Sequence, residues 1–477
     1  MLPAMTDPAP LYREKLRAAA DFVRSIPPRS FLVFGTWSGQ PHGLLRALAD
    51  YREELFANIT ILTAAGDFIL RPGFRGVSGF FGPYERAARA RFDNIAYCPV
   101  QYLDAARGLQ CAAPLDYIIH RVTPMDERGF FNFSLCSSWE YPSIRWLRRH
   151  RPDVKIVLEA NPHLPRVRGL AAFGANEIHV SDVDVVLEDE SPLQQFPPGA
   201  ASDIERRIAG NVAALVEDRA TLQLGFGTLP GVIGSLLASR RELGIHTEML
   251  CDANVDLIEA GAVTNAHKGL YDGISVATFA IGTERLWNWA RDNPAVAMLP
   301  VEETNSPAVL ARVRNLVSIN SALTVDLTGQ TCAHCLGPVT YSGLGGALEF
   351  TYGAQLSPGG KSIICLPSTA TLKDGRMVSN IVAAHPPGTR ITIPEHTVDW
   401  IATEYGAARL KFLFLEQRAQ ALIELAHPDF RAALRQQAEQ SGLRLSRVFA
   451  YPDPPETFFV RPAAGAAGAE RREVQDE

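Results

Sequence analysis

No apolar run in this 477-residue chain reaches the ~18 residues that a membrane-crossing helix needs. Its first residues, MLPAMTDPAPLYREKL, lack the basic stretch and apolar core of a signal peptide, so a cytoplasmic protein is expected. A basic surplus is also missing. Lys and Arg total 46 against 52 Asp and Glu, for a net charge of −6, which points away from nucleic acid as a partner. Cysteine is sparse: the seven residues at 98, 111, 136, 251, 332, 335 and 365 form an odd, dispersed set. Such a set suits reduced thiols and excludes a disulfide scaffold. Cys332 and Cys335 form a C-x-x-C pair, but no second pair and no histidines at metal spacing accompany them, so a zinc site is not expected.

What is present is ordinary enzyme composition, 47% hydrophobic and 21% charged, at a length that suggests two or three domains. Short apolar strands alternate with amphipathic helices. SFLVFG (30–35), NITILTA (58–64), IAYCPV (95–100), DYIIHRV (116–122) and VKIVLEAN (154–161) read as strands, with helical patterns between them. β-branched runs bounded by Gly, Pro and Asn in this rhythm predict a mainly parallel α/β sheet. The run SPLQQFPPGAASD (191–203) interrupts it, and the alternation then restarts. Two similar open α/β domains are predicted, 9–195 and 202–450, after a disordered start at 1–8. A helix is expected over 415–442 and a disordered Ala/Gly-rich tail over 463–477.

Several segments could carry chemistry. TLQLGFGTLPGVIG reads as a buried strand, a glycine turn at Gly225 and Gly227, and a helix beginning near Pro230. Glycines there let backbone N–H groups approach a ligand, and a helix start favours an anion. An ordinary βα turn would look the same, and the third glycine of a dinucleotide fingerprint is missing. About twenty residues on, HTEML places Glu248 at the carboxyl end of a short strand, where ligands gather in open α/β sheets. A carboxylate there could act as nucleophile, base or helix cap. His246 lies two residues before it, so on one continuous strand the two side chains would share a face. No third member makes this a Ser–His type hydrolase. YSGLGGALEF (341–350) is a second glycine turn whose N–H groups could meet an oxyanion, and Lys361 and Lys373 flank a strand that could meet phosphates. The aromatic segments WSGQPHG and FFGPYER read as core or oligomer surface.

Taken in order, LQLGFGTLPGVI, LGIHTEMLCDANVDLIEAGAVTN, SINSALTVDLTGQ, YSGLGGALEF, GGKSIICLPSTA, ATEYGAARL and LIELAHPDFRAAL resemble the acetyl-CoA hydrolase/transferase family, most closely over about 202–440. The resemblance implies the class I CoA-transferase fold, with the active site in the cleft between two α/β domains. It implies Glu248 as a nucleophile passing through an acyl-glutamyl anhydride and a glutamyl-CoA thioester, with Gln223 as a polar helper. It places Gly225, Phe226, Gly227, Thr228, Leu229, Ser342, Gly346 and Lys373 against coenzyme A. Coenzyme A is then a substrate and no tightly bound cofactor or metal is implied. A homodimer or larger homo-oligomer is expected by the same resemblance.

The chain also departs from the family pattern. Ala347 and Glu349 stand where many members have an amide and an aspartate, and Gly273-Ile274 where many have Gly-Lys. Both the pocket wall and the preferred acid are therefore open. Acyl-CoA hydrolysis through the same intermediates is the nearest rival, and a CoA-binding homologue without turnover is the third reading.

Overall fold

The computed structural model describes residues 7–50, 56–60, 69–70, 74–111, 115–225, 227–445 and 456–462. The expectations for residues 1–6, for the tail 463–477 and for Phe226 therefore lie outside the described residues. Asp7 and Pro8, read from the sequence as disordered, instead open the helix Ala9–Lys15, because Pro8 presets the helical φ and its carbonyl accepts from Tyr12.

Two seven-stranded sheets organise the chain. The first runs, in spatial order, Ile95–Tyr97, Arg75–Ser78, Phe56–Thr60, Phe31–Phe34, Tyr117–Val122, Lys155–Ala160 and Val185–Glu188. All of its pairings are parallel. The second runs Gly244–Ile245, Thr221–Leu224, Leu316–Ser321, Lys361–Cys365, Trp400–Thr403, Gly406–Arg409 and Phe459–Val460. Its last two pairings are antiparallel, so Gly406–Arg409 alone runs against the others, and the remaining pairings are parallel. The predicted boundary at 450 is too early, since Phe459 and Val460 complete this sheet by pairing with Ala408 and Ala407. Parallel strands covered by helices must be apolar on both faces. The runs Tyr117–Val122 and Lys155–Ala160 are buried accordingly, with His120 and the paired Arg121 and Glu159 as their polar exceptions.

Each sheet has a switch point. In the first, the chain moves from Phe31–Phe34 to one edge and returns to Tyr117–Val122 on the other side. In the second, Thr221–Leu224 is flanked by Gly244–Ile245 on one side and Leu316–Ser321 on the other. Ligands bind outside the carboxyl ends of strands at such points.

The helix Asp203–Ala213 opens the second half with a capping box. Ser202 Oγ accepts from the Glu205 N–H at 3.2 Å, and the Glu205 carboxylate accepts from the Ser202 N–H at 2.8 Å. Ile208, Ala209 and Val212 form its buried face. The helix predicted over 415–442 is two helices, Leu415–Leu425 and Pro428–Gln440, because a proline cannot continue the first and suits the start of the second.

The halves are joined through one short pair of strands. Met249–Leu250 leaves the second sheet to pair with Phe279–Ala280, and Cys136 of the first half bridges to Phe279. Met249, Phe279, Ile281 and Val301 thereby enter one apolar core with Phe131, Trp139 and Ile144. Each such side chain contributes about 1.5–3 kcal/mol by leaving water, which fixes the two halves against each other. The loop 341–346 adds polar ties. Tyr102 N–H donates to Gly345 O at 3.2 Å, Arg86 donates to Tyr341 O at 2.7 Å, and Phe80 bridges to Gly343.

Candidate active site

HTEML is not one continuous strand. Pairing to Thr221–Leu224 ends at Ile245, and Met249–Leu250 pairs elsewhere, so the chain turns over His246–Glu248. This break corrects the expectation that His246 and Glu248 share a face. His246 is fully buried, its Nε2 lies 3.0 Å from Thr304 O, and its ring stacks on Tyr271. Burial and the nearby Lys268 charge lower its pKa to about 3, so it is neutral. Glu248 instead turns toward a cavity of about 300 Å³ lined from both halves. Its own carbonyl accepts from Thr278 N–H and Phe279 N–H, which pins its backbone to the strands joining them.

Two groups hold the Glu248 carboxyl. Asn305 Nδ2 donates to Oε2 at 2.6 Å, and the Gly346 N–H also donates to the carboxyl. Burial raises its pKa to about 7, and these two donors act in the opposite sense. A reaction that uses the carboxylate should therefore lose about tenfold in kcat/KM per pH unit as pH falls below about 7. A pH–rate profile checks this, and Asn305→Ala, which removes a donor to the charged form, should move the limb to higher pH.

The glycine segments converge on the same cavity. Gly225, Ser342, Gly343, Gly345 and Gly346 line it, as do Gln223 and Asn320. Gln223 and Asn320 stand on neighbouring strands and bond reciprocally, at 3.3 Å and 3.0 Å, across the switch point of the second sheet. The Gly225 N–H is already used, donating to Ile319 O at 3.2 Å. Gly227 opens the helix Thr228–Leu237 with a φ of +120°, a conformation open to glycine at no steric cost. Thr228 is half-buried, while the Leu229 side chain packs into the core of the second sheet.

The lysines are not brought to this site. Lys373 is exposed beyond the hairpin strand Thr369–Thr371, and Lys361 pairs with Glu217 at 2.7 Å at the amino end of its strand. Ala347 lines the cavity, as its departure from the family pattern suggested. Glu349 is not among the lining residues. It is buried, and Oε1 accepts from Leu103 N–H at 3.3 Å. Burial, reinforced by the Glu248 charge, pushes it up to about 8. Cys332 and Cys335 are buried with Sγ atoms 3.2 Å apart, and Cys335 opens the hairpin that leads into the 341–346 loop. Among the described residues no third metal-binding side chain joins them.

Sequence reasoning missed three contributors. Asn305 follows a four-residue helix, Val301–Thr304, and lies 57 residues from its partner, with no motif to flag it. Trp37, placed by sequence among core or surface aromatics, lines the cavity with Phe80, Tyr102 and Phe279. Tyr102 is fully buried, its hydroxyl paired with Ser138.

Residues 282–438 match the acetyl-CoA hydrolase/transferase C-terminal domain. A 4-hydroxybutyrate coenzyme A transferase of Clostridium kluyveri is 35% identical over 89% of this chain and 97% of its own length. The chain belongs to the acetyl-CoA hydrolase/transferase family. It is an enzyme of the CoA-transferase kind. A succinyl-CoA:cyclohexane-1-carboxylate CoA transferase of Geobacter metallireducens is also 35% identical, over 92% of this chain and 97% of its own. The crystal structure of RipA from Yersinia pestis superposes with a TM-score of 0.82 at 37% identity, covering 92% of this chain and all of that one. An acetyl-CoA hydrolase of Saccharomyces cerevisiae is more distant, 28% identical over 67% of this chain and 64% of its own length. No helix among the described residues is long and apolar enough to cross a membrane.

Proposed function

We propose that this protein transfers coenzyme A between an acyl-CoA and a carboxylic acid by a ping-pong route through Glu248. The supporting observation is a carboxylate anchored through Oε2 by Asn305, at the floor of a cavity that two glycine turns and an aromatic wall enclose. Anchoring one oxygen fixes the orientation of the other for attack.

In this reading a Glu248 oxygen attacks the thioester carbonyl and the C–S bond breaks. The products are an acyl-glutamyl anhydride and the CoA thiolate. The thiolate then attacks the Glu248 side-chain carbonyl, releasing the first acid as its carboxylate and leaving a glutamyl-CoA thioester. An incoming carboxylate attacks that carbonyl and displaces the thiolate. The thiolate takes the new acyl group and frees Glu248. Every attacking group is already an anion and every leaving group departs as one, so no proton moves. That balance removes the need for a base beside Glu248 and accords with a His246 turned away. The thioester's transfer potential stays in covalent bonds throughout.

The lining also bears on the acid. Among the described lining residues Glu248 alone is charged, and Trp37, Phe80, Tyr102, Met249, Phe279 and Phe350 are apolar or aromatic. A second carboxylate on the acyl group would be buried there without a cationic partner among the described lining residues, at a cost of several kcal/mol. The reading is therefore of uncharged acyl groups, with water kept from the anhydride and thioester by the aromatic wall. The family resemblance adds a homo-oligomeric, cytoplasmic enzyme without a resident cofactor.

The test incubates the protein with acetyl-, butyryl- and succinyl-CoA, with and without a carboxylate acceptor. Acceptor-dependent formation of new acyl-CoA is expected, with butyryl-CoA preferred over succinyl-CoA by about 100-fold or more. Thiol release at the same rate without acceptor would establish the hydrolase reading instead.

A further inference from the structure

The cavity that holds Glu248 ends at an aromatic partition. The Trp37 indole stacks on the Phe279 ring with centroids 6.0 Å apart and planes 15° apart, and the Phe196 ring meets it edge-on at 5.8 Å. Phe279 pairs in register with Met249, and its N–H donates to the carbonyl of Glu248. The partition therefore stands one backbone hydrogen bond from the residue carrying the reacting carboxyl.

Behind it lies a second, smaller cavity of about 20 Å³, lined by Ser38, His42, Arg121, Leu193, Ile281 and Trp287 among others. Trp37 lines both spaces. Phe279 faces the first, while its neighbours Ala280 and Ile281 face the second. The glycine turns line only the first.

Trp37 is also held in an unfavourable backbone conformation. Its φ is +48°, in the left-handed region where a bulky non-glycine residue is strained. The turn that imposes it is fixed from below. Thr36 donates both its N–H and its hydroxyl to the buried Glu140 carboxyl at 2.6 Å, and Gly39 N–H closes the turn on Thr36 O at 2.7 Å. These bonds fix the backbone from which the indole projects.

Resting on the proposed CoA transfer, we propose that Trp37 sets the maximum length of the acyl group. The acyl chain runs from Glu248 toward the Trp37–Phe279 wall, and the indole ends the space available to it. Removing the indole joins the two cavities and admits chains several carbons longer.

The experiment measures kcat/KM of the full-length protein and its Trp37→Ala and Trp37→Phe variants for acetyl-, butyryl-, hexanoyl- and octanoyl-CoA, with one acceptor. The readout is the octanoyl-to-butyryl ratio. Trp37→Ala should raise it by about tenfold or more and Trp37→Phe by less. Adding Leu193→Phe to Trp37→Ala refills the second cavity and should return the ratio toward that of the parent. If Trp37→Ala does not fold, Trp37→Phe carries the test alone. An unchanged ratio in a folded variant, or an equal fall for every acyl-CoA, would overturn the inference. A parent protein that transfers CoA to no acceptor would sink the proposed function instead, so the two failures are distinguishable.

Discussion

Glu248→Ala should lower turnover by on the order of 10⁴-fold or more while the protein still folds and binds coenzyme A. Removing a nucleophile that forms both covalent intermediates leaves only binding and orientation. The side chain contributes little to packing, since it opens on a cavity and is held from the side by Asn305. Glu248→Gln separates chemistry from shape: the amide fills the same space and still offers Asn305 an acceptor, but cannot attack a thioester. Glu248→Asp keeps the charge and draws the carboxylate back by one methylene, away from Asn305 and Gly346. A displacement of ~1 Å in such a site can cost about 100-fold. Steady-state kinetics with butyryl-CoA and acetate, beside CoA binding by calorimetry, reads all three. Near-parent activity in any of them would count against Glu248 as nucleophile.

Gly346→Ala should be the most damaging small change in the pocket. A Cβ on Gly346 would lie 2.1 Å from Glu248 Oε2 and 2.4 Å from Asn305 Nδ2, so the nucleophile and its anchor must both move. The backbone itself tolerates alanine, because φ at Gly346 is −96°. A fall of about 100-fold or more in kcat is expected with little loss of stability. Gly345→Ala supplies the contrast. There φ is +52°, while the nearest approach of a Cβ is 4.0 Å to Glu248 Oε1. That variant should lose about 1 kcal/mol of stability by strain and less of its kcat. Thermal unfolding and kinetics on the two variants together check the pair. Equal effects on kcat would mean that contact with Glu248 is not what the glycine at 346 provides.

Much of this arrangement was legible in the sequence, and the reasons differ by residue. The βα rhythm and the two glycine turns follow from local patterns, which strand and turn chemistry dictate within a few residues. Spacing offered Glu248 only as one carboxylate a single βα unit after the first glycine turn, and it was the family resemblance that implied a nucleophile there. What failed were inferences that needed tertiary structure. The pairing of His246 with Glu248 assumed one continuous strand, yet Met249 is drawn off to Phe279 and the chain turns between them. Gly225 looked like a free N–H donor, but parallel pairing to Leu316–Ser321 extends one residue further and uses it. Glu349 looked like a wall residue, whereas the helix Ala347–Leu356 turns it inward to meet Leu103. Asn305 reaches Glu248 only because the short helix before it packs into the shared core through Val301. No spacing rule links residues so far apart.

During turnover coenzyme A should become covalently bonded to the side chain of Glu248. Mass spectrometry of the protein mixed with acyl-CoA in the absence of acceptor, then treated with borohydride, tests it most directly. Reduction of the glutamyl-CoA thioester should leave a Glu248 peptide bearing the corresponding alcohol, absent without acyl-CoA and absent in Glu248→Gln. An unmodified Glu248 peptide in protein that is turning over, or a modification at another residue, would contradict it.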